Sequence, residues 1–431
     1  MVNINGETKN IYYRDVFKNR NYIYLWSGQL ISQLGDAISL IALPLLIFKL
    51  TESAISLTIA FILEAIPWIL IGPLVGVFID KINKKYVVIA TDFIRFFLIL
   101  CLFFTENLII IYTICFLTQA FAAIFAPARS ALIPEIVEKN LYVKAIGLSH
   151  VGFQIVQVIG PLIAASLIGL IGLHTAFIID SATFSISVIC SMFIQYTFEK
   201  NKKIDKKDKQ KRTFFFDFKK GVAELIKNKV LKYVTAINLL KGLVSSFTTV
   251  GALLYVKNSL VLNSQDSDPV YGLVMAMFSI GLILGTWLIG YYEKQLDRRY
   301  LINVGLILQG LFLLMIFFEP NFIFTCIIFF FAGLTSSGAM TPVSAYYAEH
   351  TTNTIRGRVY SATNASIKLV SIIGYFIAGL IGEYIGSTSL FLLTGMLLII
   401  LTSVTTVSLK GFTILAPQNP EKKTAVQKKN I

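Results

Sequence analysis

Seven ionisable side chains stand inside long apolar runs of this 431-residue chain: Asp36, Glu64, Asp92, Arg95, Asp180, Lys241 and Lys368. A charge in the middle of a lipid bilayer costs about 2.5–3.5 kcal/mol on insertion scales, so each must face a cavity or a partner. Asp36 lies near the middle of the first run and Glu64 near the middle of the second. A carboxyl at that depth can take up a proton from one side and release it to the other, the chemistry of a proton relay. The alternative is that the two carboxyls only pack helices or neutralise Lys241 and Lys368. Those lysines in turn suit the acidic group of a substrate, or serve as counter-ions; Asp180 is assigned to the same cavity. Asp92 and Arg95, three residues apart, share one helix face. Other chemistry is missing. His150, His174 and His350 are scattered without metal-ligand spacing, and no Ser/His/Asp or HExxH pattern occurs. The absence of G-x-x-x-x-G-K-[ST] disfavours ATP as the direct energy source. No enzymatic activity, metal or cofactor is therefore expected. Trp26 and Trp68 are candidates for an apolar cavity wall, against the commoner role of facing lipid or the interface.

The elements that position these groups follow from composition. Apolar residues make up 55% and charged residues only 14%, where soluble domains carry about a quarter charged; mean hydropathy is +0.72. A water-soluble domain, a disordered chain and a disulfide scaffold are excluded together, since the four cysteines all lie in apolar runs. A bilayer core about 30 Å thick needs about 20 apolar residues per helix. Runs of that length occur at 22–48, 53–79, 86–105, 108–133, 145–171, 174–198, 231–257, 269–292, 300–318, 321–347, 358–383 and 387–409. The fold class is thus an all-α polytopic membrane protein with about twelve transmembrane helices; short alternating segments of a β-barrel are not seen.

Of the 38 Lys and Arg, 33 fall on one side if the N-terminus is cytoplasmic, against Lys49 and Lys257 on the other and Arg95, Lys241 and Lys368 within spans. That asymmetry predicts both termini inside, and accounts for the net charge of +14 without nucleic acid. On this orientation Asp180 falls in the outer half of the sixth span, and Asp92 and Arg95 in the inner turn of the third. The richest basic stretch, Glu199–Arg212, reads as a solvated loop that sets topology rather than an RNA or lipid site, with no aromatic stacking platform between its lysines. Phe214–Lys229 mixes Phe, Leu and Ile with Lys at helical spacing and is expected to lie along the inner membrane surface. The polar first twenty residues and the long first run argue against a cleavable signal peptide.

The loop divides the chain into a six-helix bundle at 1–198, a basic linker with an interfacial helix at 199–230, a second six-helix bundle at 231–409 and a tail at 410–431. The two bundles share a plan. Ile159-Gly160-Pro161-Leu162-Ile163-Ala164, with Gly169 and Gly172 after it, parallels Ile373-Gly374-Tyr375-Phe376-Ile377-Ala378 with Gly382 and Gly386. Pro127, Ser130, Ala131 and Glu135 parallel Pro342, Ser344, Ala345 and Glu349. Repeated halves around a central cavity are a transporter design.

Over essentially the whole chain the sequence resembles the major facilitator superfamily. Its most specific motif lies between the second and third spans, GVFIDKINKK (Gly76–Lys85), matching at Gly76, Asp80, Lys81, Lys84 and Lys85. Asn83 stands where Gly is usual; Asn tolerates the left-handed backbone region, which would preserve the turn. The first span (Trp26–Phe48), FAPARSALIPE (Phe125–Glu135) and RGRVY (Arg356–Tyr360) resemble the drug-efflux branch that includes macrolide exporters. Two features depart from that branch. The fourth span lacks an Arg three residues before Gln119, and the fifth keeps Gly152, Gly160 and Pro161 for helix packing but has Ala164 and Ala165 in place of a glycine pair. The resemblance implies a secondary exporter of an amphipathic, drug-like compound in exchange for protons. It also implies a conformational latch built from the motif residues with Asp92 and Arg95. A metabolite exporter for an acidic chelator or lysolipid, and a non-transporting scramblase or scaffold, are the alternatives. The expected partners are the small-molecule substrate, protons and membrane lipids, with no nucleic acid; the chain is expected to act as a monomer. Abundant Lys, Ile, Asn and Phe suggest a low-GC bacterium, hence a bacterial cytoplasmic membrane.

Overall fold

In a computed structural model, residues 13–71, 75, 79, 82–138, 140–196, 214–260, 267–292, 297–318, 321–351, 355–409 and 415 are described. Among them are fourteen α-helices. A short α1 (Tyr13–Val16) precedes six spans: α2 (Arg20–Thr51), α3 (Ala54–Leu70), α4 (Lys84–Phe104), α5 (Leu108–Ile136), α6 (Tyr142–Ile171) and α7 (Leu173–Met192). An amphipathic α8 (Phe214–Lys227) leads to six more: α9 (Lys229–Tyr255), α10 (Ser267–Tyr291), α11 (Arg298–Met315), α12 (Phe322–His350), α13 (Arg356–Tyr384) and α14 (Ser387–Ser408). Eleven of the twelve long helices are long and apolar enough to cross a membrane; α3 has only 17 described residues. The twelve runs read from the sequence correspond to these helices one for one.

Helix starts are set by short polar side chains that satisfy the first free N–H groups. Asn19, Ser53, Asn83, Asn107, Asn228, Asp297 and Asn321 all accept from the first turn of the helix that follows. Asn83 corrects the sequence reading. Its φ of −66° is not left-handed; its carbonyl oxygen accepts from Lys85 N at 3.1 Å, so it serves as an N-cap where a tight turn was expected. Left-handed glycines appear instead at the joints α6–α7 and α13–α14, where Gly172 (φ 84°) and Gly386 (φ 102°) let one helix follow another with no loop. A side chain there would be strained.

These devices recur at one constant offset along the chain: Asn83 with Asp297, Asn107 with Asn321, Gly172 with Gly386. The packing repeats with them. In the first half α2 packs on α6 and α7, α4 on α5 and α7, and α3 on α5; in the second, α9 packs on α13 and α14, α11 on α12 and α14, and α10 on α12. The two most extensive contacts between the halves are α6 with α10 and α3 with α13, each the mirror of the other under the repeat. Large apolar side chains on the outer helix faces, such as Phe104, Ile109, Leu170 and Phe318, are exposed, as lipid-facing positions must be. The α8 helix packs across α13 and α9.

Candidate functional site

On α2 the polar residues Gln29, Gln33 and Asp36 follow at spacings of four and three, so they form one stripe. That stripe faces a cavity of about 430 Å³ that is also lined by Trp68, Arg95, Phe125, Arg129 and His150. A deeper, contiguous cavity of about 250 Å³ shares Gln33, Asp36, Trp68 and Arg95 and adds Glu64, Gln119 and Pro161. The larger cavity reaches Ile133 and Tyr142, at the end of α5 and the start of α6, and so leads toward the end of the bundle that carries Lys84.

The opposite end is shut. There α6 and α10 meet so closely that a Cβ on Gly272 would collide with Ala165, and one on Gly169 would lie 3.3 Å from Pro269. The Glu383 carboxylate of α13 accepts from Ala54 N at 2.6 Å and Ser53 Oγ at 3.1 Å, closing the first turn of α3 from the other half. Nearer mid-depth, Phe61 of α3 stacks on Tyr375 of α13 with ring centroids 4.7 Å apart.

Arg95 is the hub of the polar wall. Its Nη2 donates to Asp36 Oδ1 at 2.5 Å, its Nη1 lies 3.9 Å from Asp92 Oδ1, and its guanidinium sits 4.2 Å from the Phe184 ring centre. Asp36 keeps 43% of its side chain exposed, toward the cavity, whereas Asp92 has none and accepts from Ser187 Oγ at 2.6 Å. Asp180, also fully buried, accepts from Ser39. Asp180 also interacts electrostatically with Arg95, so one guanidinium lies in the field of three carboxyls.

Two sequence assignments need correction here. Asp92 and Arg95 were placed in the inner turn of the third span, with the latch; they fall near the middle of α4 and join Asp36 instead. The start of α4 at Lys84 puts them two to three turns into the helix. Asp180 was assigned to the substrate cavity, yet it is sealed between α7 and α2 by Ser39 and Thr183 and lines none of the described cavities.

The other candidates are placed as follows. Glu64 lines the deeper cavity and interacts electrostatically with Lys368, which is exposed on α13 across the halves. Lys241 lines a cavity of about 220 Å³ in the second half, its Nζ 3.5 Å from the Ser336 carbonyl. Gly152 and Gly160 stand where α6 crosses α2: a Cβ on Gly160 would strike Ala37, and one on Gly152 would lie 2.6 Å from Leu30 Cδ2. Pro161 lines the deeper cavity. Of the motif, Gly76, Asp80 and Lys81 lie outside the described residues. Lys84 is buried and pairs with Glu135 at 3.1 Å, and Lys85 Nζ donates to the Met192 carbonyl at 2.9 Å. The second half repeats the first of these pairs as Arg298 with Glu349, at 2.6 Å. Trp68 lines both first-half cavities and donates to Gln119 at 2.9 Å, while Trp26 packs edge-on against Phe17. Sequence reasoning overlooked Gln29, Gln33 and Arg129, and used Gln119 only as a motif landmark. Uncharged amides inside apolar runs, and an arginine counted with the basic end, were the signals available.

A helical bundle with two half-repeats, shut at one end and holding a polar-walled cavity that leads toward the other, defines the class: a transporter-type multi-pass membrane protein. The sequence profile of the Major Facilitator Superfamily matches residues 25–264 and 242–429, and the chain belongs to that superfamily. It is 27% identical over 305 residues to the MFS-type transporter YkuC of Bacillus subtilis, covering 69% of this chain and 70% of that one. It is 25% identical over 391 residues to macrolide efflux protein A of Streptococcus pyogenes, covering 88% and 94%. Among solved structures, a point mutant of the nucleoside transporter NupG aligns with a TM-score of 0.71 at 13% identity, over 90% of this chain and 99% of that one.

Proposed function

We propose that the chain is a secondary active exporter that expels an amphipathic, largely apolar compound in exchange for protons. The reading rests chiefly on Asp36, a cavity-facing carboxylate whose only described ionic partner is the buried Arg95. With three carboxyls around one guanidinium, the cluster has a place to hold a proton, and cargo entering the cavity competes for the same wall. Glu64 serves as a second proton carrier, coupled to Lys368 on the opposite half, so that its charge state bears on how the halves meet. Lys241 takes a polar end of the cargo in the second half. Lys84 with Glu135 and Arg298 with Glu349 clasp the basic end of each bundle, the latch role expected of the motif. The basic end faces the cytoplasm of a bacterium, both termini lie inside, and the chain works as a monomer. The likeness to macrolide efflux protein A over most of both chains supports efflux of a drug-like molecule.

The experiment is dye or macrolide efflux from proteoliposomes under an imposed pH gradient. Wild type is expected to respond to the gradient. Asp36→Asn with Glu64→Gln is expected to abolish the response while leaving downhill exchange of cargo. Gradient-driven export that persists in the double variant refutes the coupling assignment.

A further inference from the structure

Arg129 stands out among the groups that the proton cluster does not use. It sits on α5 between Pro127 and the basic end, and it lines the larger cavity with Ser130, Ser149 and His150. Its Nε is buried and has no hydrogen-bond partner. No ion pair among the described residues includes it. The carboxylate next along its own helix, Glu135, is taken by Lys84 and by the Tyr196 hydroxyl. Asp36, the one carboxylate among the cavity-lining residues, is held by Arg95. A partly buried guanidinium without a counter-charge is costly unless something supplies one. Arginine's planar fork matches an oxyanion through paired N–H donors. Phe125, Phe153 and Trp68 give the same cavity an apolar body.

We infer that Arg129 forms an oxyanion subsite in the cavity, which takes a carboxylate or phosphate group attached to an amphipathic molecule, with the apolar remainder lying against Phe153 and Trp68. The inference rests on the exporter reading and narrows its substrate class to compounds that carry an acidic group. Such a group could equally belong to a phospholipid headgroup or a free phosphate ion entering from the basic end, and the test separates these sources.

The full chain in non-ionic detergent is titrated with 2-naphthoate and with its neutral analogue 2-naphthylmethanol, read by quenching of tryptophan fluorescence, since Trp68 lines the cavity. A charge-assisted pair is worth about 1.5–3 kcal/mol, so naphthoate is expected to bind at least about tenfold more tightly than the alcohol. Arg129→Gln is expected to erase that ratio without changing affinity for the alcohol, whose binding also shows that the variant is folded. Arg129→Lys is expected to keep most of the preference. Competition by inorganic phosphate in wild type but not in Arg129→Gln assigns the subsite to free oxyanions as well. Weaker naphthoate binding in nanodiscs when phosphatidylglycerol is added to phosphatidylcholine, again only with Arg129 present, assigns it to headgroups. A ratio unchanged in Arg129→Gln overturns the subsite. The titration uses no gradient, so a protein that keeps the ratio but fails proton-driven flux refutes the export reading alone. Intact flux with an unchanged ratio refutes the subsite alone.

Discussion

Replacing Arg95 with Met should cost far more stability than replacing Asp36 with Asn, although the two residues form one ion pair. Asp92 is fully buried, and apart from Ser187 it has only the Arg95 guanidinium, at 3.9 Å, to balance its charge. Removing Arg95 leaves that charge uncompensated in the interior, a loss of about 3–5 kcal/mol. Asp36 keeps 43% of its side chain exposed to the cavity, and its removal leaves Arg95 still beside Asp92. Solvent screening reduces its share to about 1 kcal/mol or less. The assay is unfolding by SDS titration in mixed micelles, followed by tryptophan fluorescence. The double variant Arg95→Met with Asp92→Asn is expected to recover most of the loss, because the stranded charge goes with its partner. Equal destabilisation by Arg95→Met and Asp36→Asn, or no recovery in the double variant, would refute the view of Arg95 as the group that makes a buried Asp92 tolerable.

Four further outcomes follow from other parts of the structure. Glu383→Gln removes the charge that caps α3 from across the halves, and a charge at a helix N-terminus is worth about 0.3–1 kcal/mol. Cysteine labelling at the end away from Lys84 should then rise a few-fold as that end opens more often; unchanged labelling removes Glu383 from the gate. Gly160→Ala forces a methyl into Ala37 and is expected to cost about 1–3 kcal/mol by the same SDS assay. Gly290→Ala, on α10 with nothing within 4 Å of the added Cβ, is expected to be neutral or stabilising. Hydrogen bonds from Arg299 hold the Asp297 carboxyl below the ordinary range. A carboxyl so lowered stabilises the fold at every pH above about 4 and loses its effect only as pH falls further. The stability difference between wild type and Asp297→Ala should therefore be flat from about pH 5 to 8 and shrink only in stronger acid; a change near neutrality would contradict this.

Helix number and position were legible because membrane span length is a blunt physical requirement, met among the described residues by eleven of the twelve long helices. The repeat was legible in Gly160 and Gly374 and in Glu135 and Glu349, since close helix crossings and ion pairs restrict residue type. The partner of Arg95 was not. Asp36 and Arg95 belong to helices brought together by packing on α7, and an i,i+3 spacing points only to Asp92. Asp180 looked like a cavity residue because an intramembrane carboxyl needs a partner, and Ser39, a small hydroxyl among many in these helices, gave no sign of being it. Asn83 was read through the turn its position suggested, while its side chain had a competing use as a helix cap. Glu383 finds its partners on a helix from the other half, a contact that no local pattern encodes.

Alternating access is tested most directly by distances between the halves at both ends of one molecule. Tyr86 and Tyr300 are exposed at the starts of α4 and α11, and Phe104 and Phe318 are exposed where those helices finish. After the four native cysteines are replaced, spin labels at each pair report the two ends separately by pulsed electron resonance, at acidic and at neutral pH in lipid nanodiscs. A rocking carrier requires the two distances to change in opposite senses, the Tyr86–Tyr300 pair shortening in the population in which the Phe104–Phe318 pair lengthens. Distances that stay fixed at both ends, or that lengthen together, would contradict it.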